Sequence, residues 1–427
     1  MPRGKGAEEL LVAVDLGTNK VCVVVAEMGI GSTPQVVGVG SVPSRGIKKG
    51  VIVNMEEATN CVRQACEEAR RMSNCSFDRV LLTSSALDVG CVFNRGMISL
   101  GKDARRVTQD DVKRVVEVAG SVPIPTDRFL VHVLPKEFLV DGQGGIDNPL
   151  GMSAVRLEVE VQVITALASS VKNVISAVEG AGLSVEGFLL KPVASAYAVL
   201  GHQERYLGTA VVDVGAGTTG VAVFHQGTLR YVSLVPLGGD HITNDIACVL
   251  RVPLPSAEEL KVRWAVAHQD FVDEDAEIEI SMPGSRKSRV VTRRELSEIV
   301  SFRLEEIMGM VSEEISKSGV DMLPGGVVVT GGCAMLPYVD EFASELLGVS
   351  VRVGYPVGVG GLSDILMQPV YSSAVGLLKA SVEVPEALVL GGGGLGSSPR
   401  RQVQANRGPS AWSRLKDFVL SILRDFF

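Results

Sequence analysis

The 427-residue chain has seven cysteines, at 22, 61, 66, 75, 91, 248 and 333, and no two of them make a C-x-x-C pair. Its five histidines, at 132, 202, 225, 241 and 268, do not cluster. An odd cysteine count without that spacing disfavours both a disulfide framework and a zinc site, and fits a reducing cytosol. Positive charge is also short. Against 49 acidic residues stand 41 basic ones, for a net charge of −8, a poor start for a nucleic-acid binder, whose affinity rests on neutralising phosphates. No run of 18 apolar residues occurs, so no membrane-spanning segment is expected. The opening Met1-Pro-Arg-Gly-Lys-Gly lacks the apolar stretch of a signal peptide. The pattern G-x-x-x-x-G-K-[ST] is absent, which excludes a P-loop.

What the chain does have is length and glycine. At about 150 residues per domain there is room for two to three domains. Hydrophobic residues at 46% and charged residues at 21% match globular averages and exclude a chain disordered throughout. The 47 glycines exceed the usual share of about 7% and announce many tight turns.

Two passages follow one design. Val12-Ala-Val-Asp15-Leu-Gly17-Thr18-Asn19-Lys20-Val-Cys-Val-Val-Val25 and Val211-Val-Asp213-Val-Gly215-Ala216-Gly217-Thr218-Thr219-Gly220-Val-Ala-Val-Phe224 each read as an apolar strand tipped by an aspartate, a Gly/Thr turn and a second apolar strand. Their return after half the chain suggests a duplicated domain; two unrelated Gly-rich hairpins are the alternative. Gly215 to Gly220 also matches G-x-G-x-x-G, but that fingerprint needs a helix to open after it. Val221-Ala-Val-Phe224 reads instead as strand, so a dinucleotide fold is rejected. Glycines let backbone N–H groups approach phosphate oxygens, and threonine hydroxyls add donors. Carboxylates repel phosphate unless a cation intervenes, so Asp15 and Asp213 imply Mg²⁺ held through water. A single such hairpin is an ordinary turn; two of them, with a third Gly-rich strand end at Thr330-Gly331-Gly332-Cys333-Ala334, point to a nucleotide site.

Helical spacing covers Met55–Ser73, followed by a strand at Arg79–Thr83. Residues 86–165 change texture: a helix opens at Thr108 with a Thr108-x-x-Asp111 capping box, a Gly-rich turn follows at Asp141–Gly145, and an alternating strand runs over Val155–Ile164. This is the pattern of a small α+β insertion. Further helices are expected over Val171–Gly182 and Pro192–Leu200, and a charged helical region reaches Lys317. A strand at Val327–Thr330 ends on the two glycines. From 383 to 409 the composition turns to Pro, Gly, Ser and Arg, as in a flexible linker.

These motifs, with Lys191-Pro-Val-Ala-Ser-Ala-Tyr197, resemble the superfamily of actin, sugar kinases and Hsp70-type chaperone ATPases. Within it the chain is most similar to the FtsA family of bacterial cell-division proteins, on Gly142-Gln-Gly-Gly-Ile-Asp-Asn-Pro149, Leu237-Gly238-Gly239-Asp240-His241-Ile-Thr-Asn-Asp-Ile246, Ala257-Glu258-Glu-Leu-Lys261 and Tyr371-Ser-Ser-Ala-Val-Gly376. The resemblance implies an α/β, actin-like two-lobed ATPase fold of duplicated ribonuclease-H-like domains, an inserted α+β subdomain and a C-terminal amphipathic helix. It implies lobes at 8–85 with 166–204 and at 205–238 with 320–382, and inserted subdomains at 86–165 and 239–319. It also implies ATP and Mg²⁺. Gly17, Thr18, Asn19, Gly215, Ala216, Gly217, Thr218 and Thr219 would cradle phosphates, completed by Gly238 and Gly239. Asp15 and Asp213 would organise the metal, in any catalytic role as well. Gly331, Gly332 and Cys333 would lie against adenosine, and Glu258 and Lys261 would reach the ribose. Lys20 would contact a terminal phosphate or simply be an exposed strand lysine. One departure stands out: relatives place Glu or Gln before the linking helix to position water, whereas Lys191 stands here, so slow hydrolysis is expected.

The resemblance further implies self-assembly into filaments, and docking of the FtsZ tail on the second insertion. Arg303 and Glu306, i and i+3 on one helical face, are the candidate contacts; a self-satisfied ion pair is the alternative. In 410–427, Trp412, Leu415, Phe418, Val419, Ile422, Leu423 and Phe426 form an apolar stripe opposite Ser413, Arg414, Asp417, Ser421, Arg424 and Asp425. Beyond a long linker this reads as an interfacial membrane anchor, with docking on a protein groove as the alternative. Seven such side chains are worth on the order of 10 kcal/mol before ordering costs. A peripheral position on the cytoplasmic face of the membrane at the division site, with later division proteins as further partners, is the corresponding expectation. A pilus-assembly or other actin-like ATPase and a sugar-kinase-type phosphotransferase remain alternatives.

Overall fold

The structure, a computed structural model, describes residues 10–28, 33–48, 50–85, 88–146, 148–272, 276–281, 288–384 and 389–390. The linker expected at 383–409 falls almost wholly outside the described residues, and the amphipathic stripe of 410–427 entirely so.

Two sheets repeat one topology. In the first, Pro34–Pro43, Lys20–Met28 and Leu10–Leu16 pair antiparallel in that order, and Leu10–Leu16 continues in parallel with Arg79–Ser84 and then Ser184–Phe188. In the second, Thr228–Val235, Thr219–His225, Thr209–Val214, Val327–Thr330 and Val351–Val353 follow the same order and the same sense. The register repeats as well: Asp15 lies beside Thr83 and Asp213 beside Thr330 on the parallel neighbours. Both sheets are covered on both faces, which is why Val21–Ala26 and Ala210–Val212 read as unbroken apolar runs rather than alternating ones.

Two helices join the lobes. Lys191–Val199 starts with Pro192 in its first turn, where a missing N–H costs nothing. Ser372–Glu383 crosses it closely: a Cβ on Gly376 would lie 1.7 Å from the Ala194 carbonyl oxygen, so no side chain fits at 376. Both helices are buried in a core that runs from the first sheet to one face of the second.

Two further cores flank these lobes. A four-stranded sheet, ordered Gln143–Ile146, Arg128–Val140, Arg156–Leu167 and Val89–Ser99, carries the helix Gln109–Gly120. Thr108 caps that helix by accepting from the Asp111 N–H while the Asp111 carboxylate accepts from the Thr108 N–H. This sheet is bonded to the second lobe: the Gln162 side-chain amide donates to the Val232 carbonyl (2.9 Å) and accepts from the Val232 N–H (3.1 Å). The other core joins Gly239–Leu250, Leu254–Trp264 and Arg293–Lys317 to the hairpin of Glu277–Ser281 and Ser288–Thr292.

The helix expected at Val171–Gly182 begins earlier, at Ala168, and ends at Glu179. It grows directly out of the strand Arg156–Leu167 with no turn residue between them, and the Ala168 N–H is satisfied by the Asp127 carbonyl.

Candidate functional site

Each acid-tipped strand ends in a turn closed the same way. The Gly17 N–H donates to the Lys20 carbonyl, and the Gly215 N–H to the Thr218 carbonyl, both at 3.0 Å. The two turns open onto one cavity of about 320 Å³ between the lobes. Of the residues singled out in the sequence, Asp15, Gly17, Thr18, Asn19, Lys20, Asp213, Gly215, Ala216, Gly239, Glu258, Lys261, Gly331, Gly332 and Cys333 line it. Thr218 lines a smaller cavity of about 20 Å³ beside it, shared with Thr18, Ser85, Lys191, Pro192 and Asp213. That volume holds about one water molecule.

Three of the candidate nucleotide-binding residues line neither cavity. Thr219 is fully buried and donates to the Leu237 carbonyl (2.8 Å), which ties the turn to the following loop. Gly217 is absent from both linings. Gly238 packs where a Cβ would lie 2.5 Å from the Gly215 carbonyl oxygen. Its neighbours complete the join: the Gly239 N–H donates to the Gly215 carbonyl and the Asp240 N–H to the Ala216 carbonyl, so the helix Gly239–Leu250 starts against the second turn. Its N-terminal dipole therefore faces the cavity wall, a favourable setting for anions.

The two aspartates are buried and unequal. Ser373, in the first turn of one linking helix, donates to Asp15 Oδ2 at 2.6 Å, and Ser195, on the other linking helix, donates to Asp213 Oδ2 at 2.5 Å. Each serine thus comes from the helix of the opposite lobe. Lys191 Nζ lies 3.3 and 3.4 Å from the two Asp15 oxygens, so both oxygens of Asp15 already face a cation. Asp213 Oδ1 is buried without a hydrogen-bond partner. Burial pushes the Asp213 carboxyl above its ordinary value, against the pull of Lys191 and Ser195. Burial also opposes the charge on Lys191, but Asp15 and Asp213 outweigh it and hold its pKa above the usual lysine value. Lys20 is neither exposed nor free: Nζ donates to the Val370 carbonyl (3.0 Å) and sits over the Tyr371 ring. Burial lowers its pKa.

At the end of the strand beside Asp213, Gly331 has φ +89°, and a Cβ there would lie 2.4 Å from Asp213 Oδ1. Gly332 meets nothing within 4 Å, which leaves its backbone open to a flat ligand. Cys333 faces Gly239, and burial pushes its thiol up to about 11. Glu258, Lys261 and Thr243 form a cluster: Lys261 Nζ is 2.6 Å from Glu258 and 2.8 Å from the Thr243 hydroxyl. Exposed Val262 and Met335 add apolar surface nearby.

Among the described residues no group of three His, Cys, Asp or Glu side chains stands ready to hold a metal directly. The unpartnered Asp213 Oδ1 suits a cation held through water and phosphate, since a buried carboxylate oxygen without a partner is costly. Asp15 suits it poorly, being occupied by Lys191 and Ser373. Ser195, Ser373 and the Lys191–Asp15 pair were not assigned from sequence. The only signal was that both serines lie inside the two linking-helix motifs.

Outside the cavity lining, Arg303 is engaged within its own unit. Nε and Nη2 donate to the Asp245 carboxylate at 2.6 and 3.0 Å, and Nη1 donates to Glu306. Asp245 and Glu306 hold its pKa above the ordinary arginine value, the hydrogen bond that Arg303 donates to Asp245 being the larger cause. The same helix exposes Phe302.

A duplicated five-strand unit, hinged by crossing helices over an acid-floored cleft, defines an actin-like two-lobed ATPase fold. Solved structures agree on the fold. The PilM–PilN type IV pilus biogenesis complex aligns with TM-score 0.61 at 18% identity, covering 87% of this chain and 98% of that one. MreB5 of Spiroplasma citri bound to ADP aligns with TM-score 0.52 at 15% identity, covering 88% and 99%. The family model "Cell division protein FtsA" matches residues 210–376, and "SHS2 domain inserted in FTSA" matches 88–165. The cell division protein FtsA of Pseudomonas aeruginosa is 38% identical over 371 residues, covering 87% of this chain and 88% of that protein. That of Escherichia coli K12 is 37% identical over 378 residues, covering 87% and 90%. The chain belongs to the FtsA family of cell-division proteins.

Proposed function

We propose that this cell-division protein binds ATP in the cleft, assembles into actin-like filaments and anchors FtsZ filaments to the cytoplasmic membrane, where it recruits later division proteins. The observation that carries the nucleotide part is the pair of buried aspartate-tipped turns opening onto one cavity of about 320 Å³. Backbone N–H groups at Thr18 and Ala216 would hold the phosphates, with Gly17 and Gly215 leaving room for their approach and the helix dipole at the start of Gly239–Leu250 adding to the attraction. Gly331 and Gly332 would back the base, and Glu258 with Lys261 would meet the ribose. Mg²⁺, when bound, would neutralise phosphate charge, with Asp213 holding its water shell. Hydrolysis would be slow, because Lys191 beside the smaller cavity is a charged ammonium and has no lone pair to take a proton from water.

In this reading 8–85 with 166–204 and 205–238 with 320–382 are the moving lobes. The units 86–165 and 239–319 serve contacts between molecules, 383–409 is the tether, and 410–427 is the foot. The exposed helix face of Phe302, Arg303 and Glu306 is the docking site for the FtsZ tail. Since Arg303 is already paired with Asp245, its part is to shape that face as much as to offer charge. Arg303→Glu should abolish FtsZ capture in a pull-down; unchanged capture removes the assignment. One amphipathic foot would bind reversibly after ordering costs, and many feet on one filament firmly, through effective concentration.

Sedimentation with anionic liposomes tests the whole scheme. The full chain should pellet, more so with ATP, and a chain lacking 410–427 should stay in the supernatant. Equal pelleting of both forms refutes the anchor.

A further inference from the structure

We propose that Lys191 supplies at Asp15 the positive charge that a divalent cation would otherwise have to bring, so that ATP binding in this chain is largely independent of metal. The inference rests on the reading of the cleft as an ATP site. The two acid-tipped hairpins invite a symmetric role for their aspartates, each sharing one hydrated cation. Their surroundings break that symmetry. Both oxygens of Asp15 are within reach of Lys191 Nζ, at 3.3 and 3.4 Å, and Oδ2 also accepts from Ser373. Asp213 keeps one oxygen, Oδ1, without a partner.

Lys191 is not a roaming surface lysine. It is the first residue of a buried linking helix, and the next residue, Pro192, packs where a Cβ on Gly220 would lie 2.7 Å away. Its side chain lines both the large cavity and the one-water cavity that Asp213 and Thr18 also line. The ammonium therefore stands beside the phosphate turns, fixed in place. Lys20 brings a second ammonium to the same cavity from the strand side.

Two bare carboxylates would repel a triphosphate, and a compensating cation is needed to reverse that. Asp15 and Asp213 are balanced in number by Lys191 and Lys20, as Glu258 is by Lys261, and Asp240 is the remaining acid on the lining. A tethered cation has no concentration to lose when free magnesium is removed. Metal would still find Asp213 Oδ1, as an aid to binding rather than a condition of it.

Equilibrium titration of the full chain with a fluorescent ATP analogue, in excess magnesium and in excess EDTA, tests the proposal. The wild-type chain should weaken by less than about threefold on removal of metal. Whatever its affinity in magnesium, Lys191→Gln should weaken by about tenfold or more when EDTA replaces magnesium, equivalent to about 1.4 kcal/mol. Lys191→Arg, which keeps the charge, should behave as wild type. A tenfold or greater loss by the wild-type chain in EDTA overturns the inference and leaves the ATP site standing; that arm needs no variant to fold. Indifference of Lys191→Gln to EDTA also overturns it. Absence of saturable binding in magnesium removes the ATP site itself.

Discussion

Gly331 has no substitute at its position. Its φ of +89° is strained for any residue with a side chain, and a Cβ would press on Asp213 Oδ1 at 2.4 Å. Gly331→Ala should lower stability by about 1–3 kcal/mol, read as a lower midpoint in urea unfolding; an unchanged midpoint would mean that the strand end relaxes freely. At this scale the sequence was legible where chemistry is local. An aspartate closing an apolar strand before glycines is visible in any window of ten residues, and so is the Gly331-Gly332 pair. Lys191 was visible only as an oddity. Its pairing with Asp15 joins residues 176 apart, and that of Ser373 with Asp15 spans 358, so neither leaves a trace in spacing.

Among the elements, the helix Met55–Ser73 was readable to the residue because its ends carry their own chemistry. Asn54 accepts from the Glu57 N–H at the start, and Asn74 turns left-handed at the end. Where a strand passes straight into a helix, as at Leu167 and Ala168, no such mark exists and the start was misplaced. The sheet carrying Gln109–Gly120 has a titration of its own. Burial lowers His132 to about 4, against about 6.5 in an unfolded chain. Between those values the unfolded state binds more protons, so this contribution is complete above about pH 6.5 and is lost as pH falls towards 4. Asp111 is held below the usual carboxylate range, first by hydrogen bonds from Arg105 and then by Thr108, against burial. Its contribution is present above about pH 4 and fades on further acidification. Melting temperatures of the wild-type chain should therefore fall from pH 6.5 to 4, and His132→Gln should flatten that limb. Parallel curves for the two proteins would show that His132 is not the cause.

Taken as a whole, the molecule is a duplication whose halves hold each other's acids: Ser195 from the first-lobe helix on Asp213, Ser373 from the second-lobe helix on Asp15. The duplication was legible because the hairpin repeats, whereas the actin-like fold class came from the family resemblance that those motifs carry. The reciprocal serine contacts were not legible, since they depend on how two helices cross at Ala194 and Gly376. That crossing places any ligand of the cleft against both lobes at once. A ligand bound between them would make differential contacts if the lobes moved, which is the requirement for a nucleotide to control assembly. The most direct measurement is calorimetric titration of ATP into the full chain and into Gly239→Val, whose side chain would crowd Cys333 across the cavity. One saturable site per chain, abolished by Gly239→Val in a protein that still melts cooperatively, is the predicted result. No saturable binding by the wild-type chain, or equal binding by both, would contradict it.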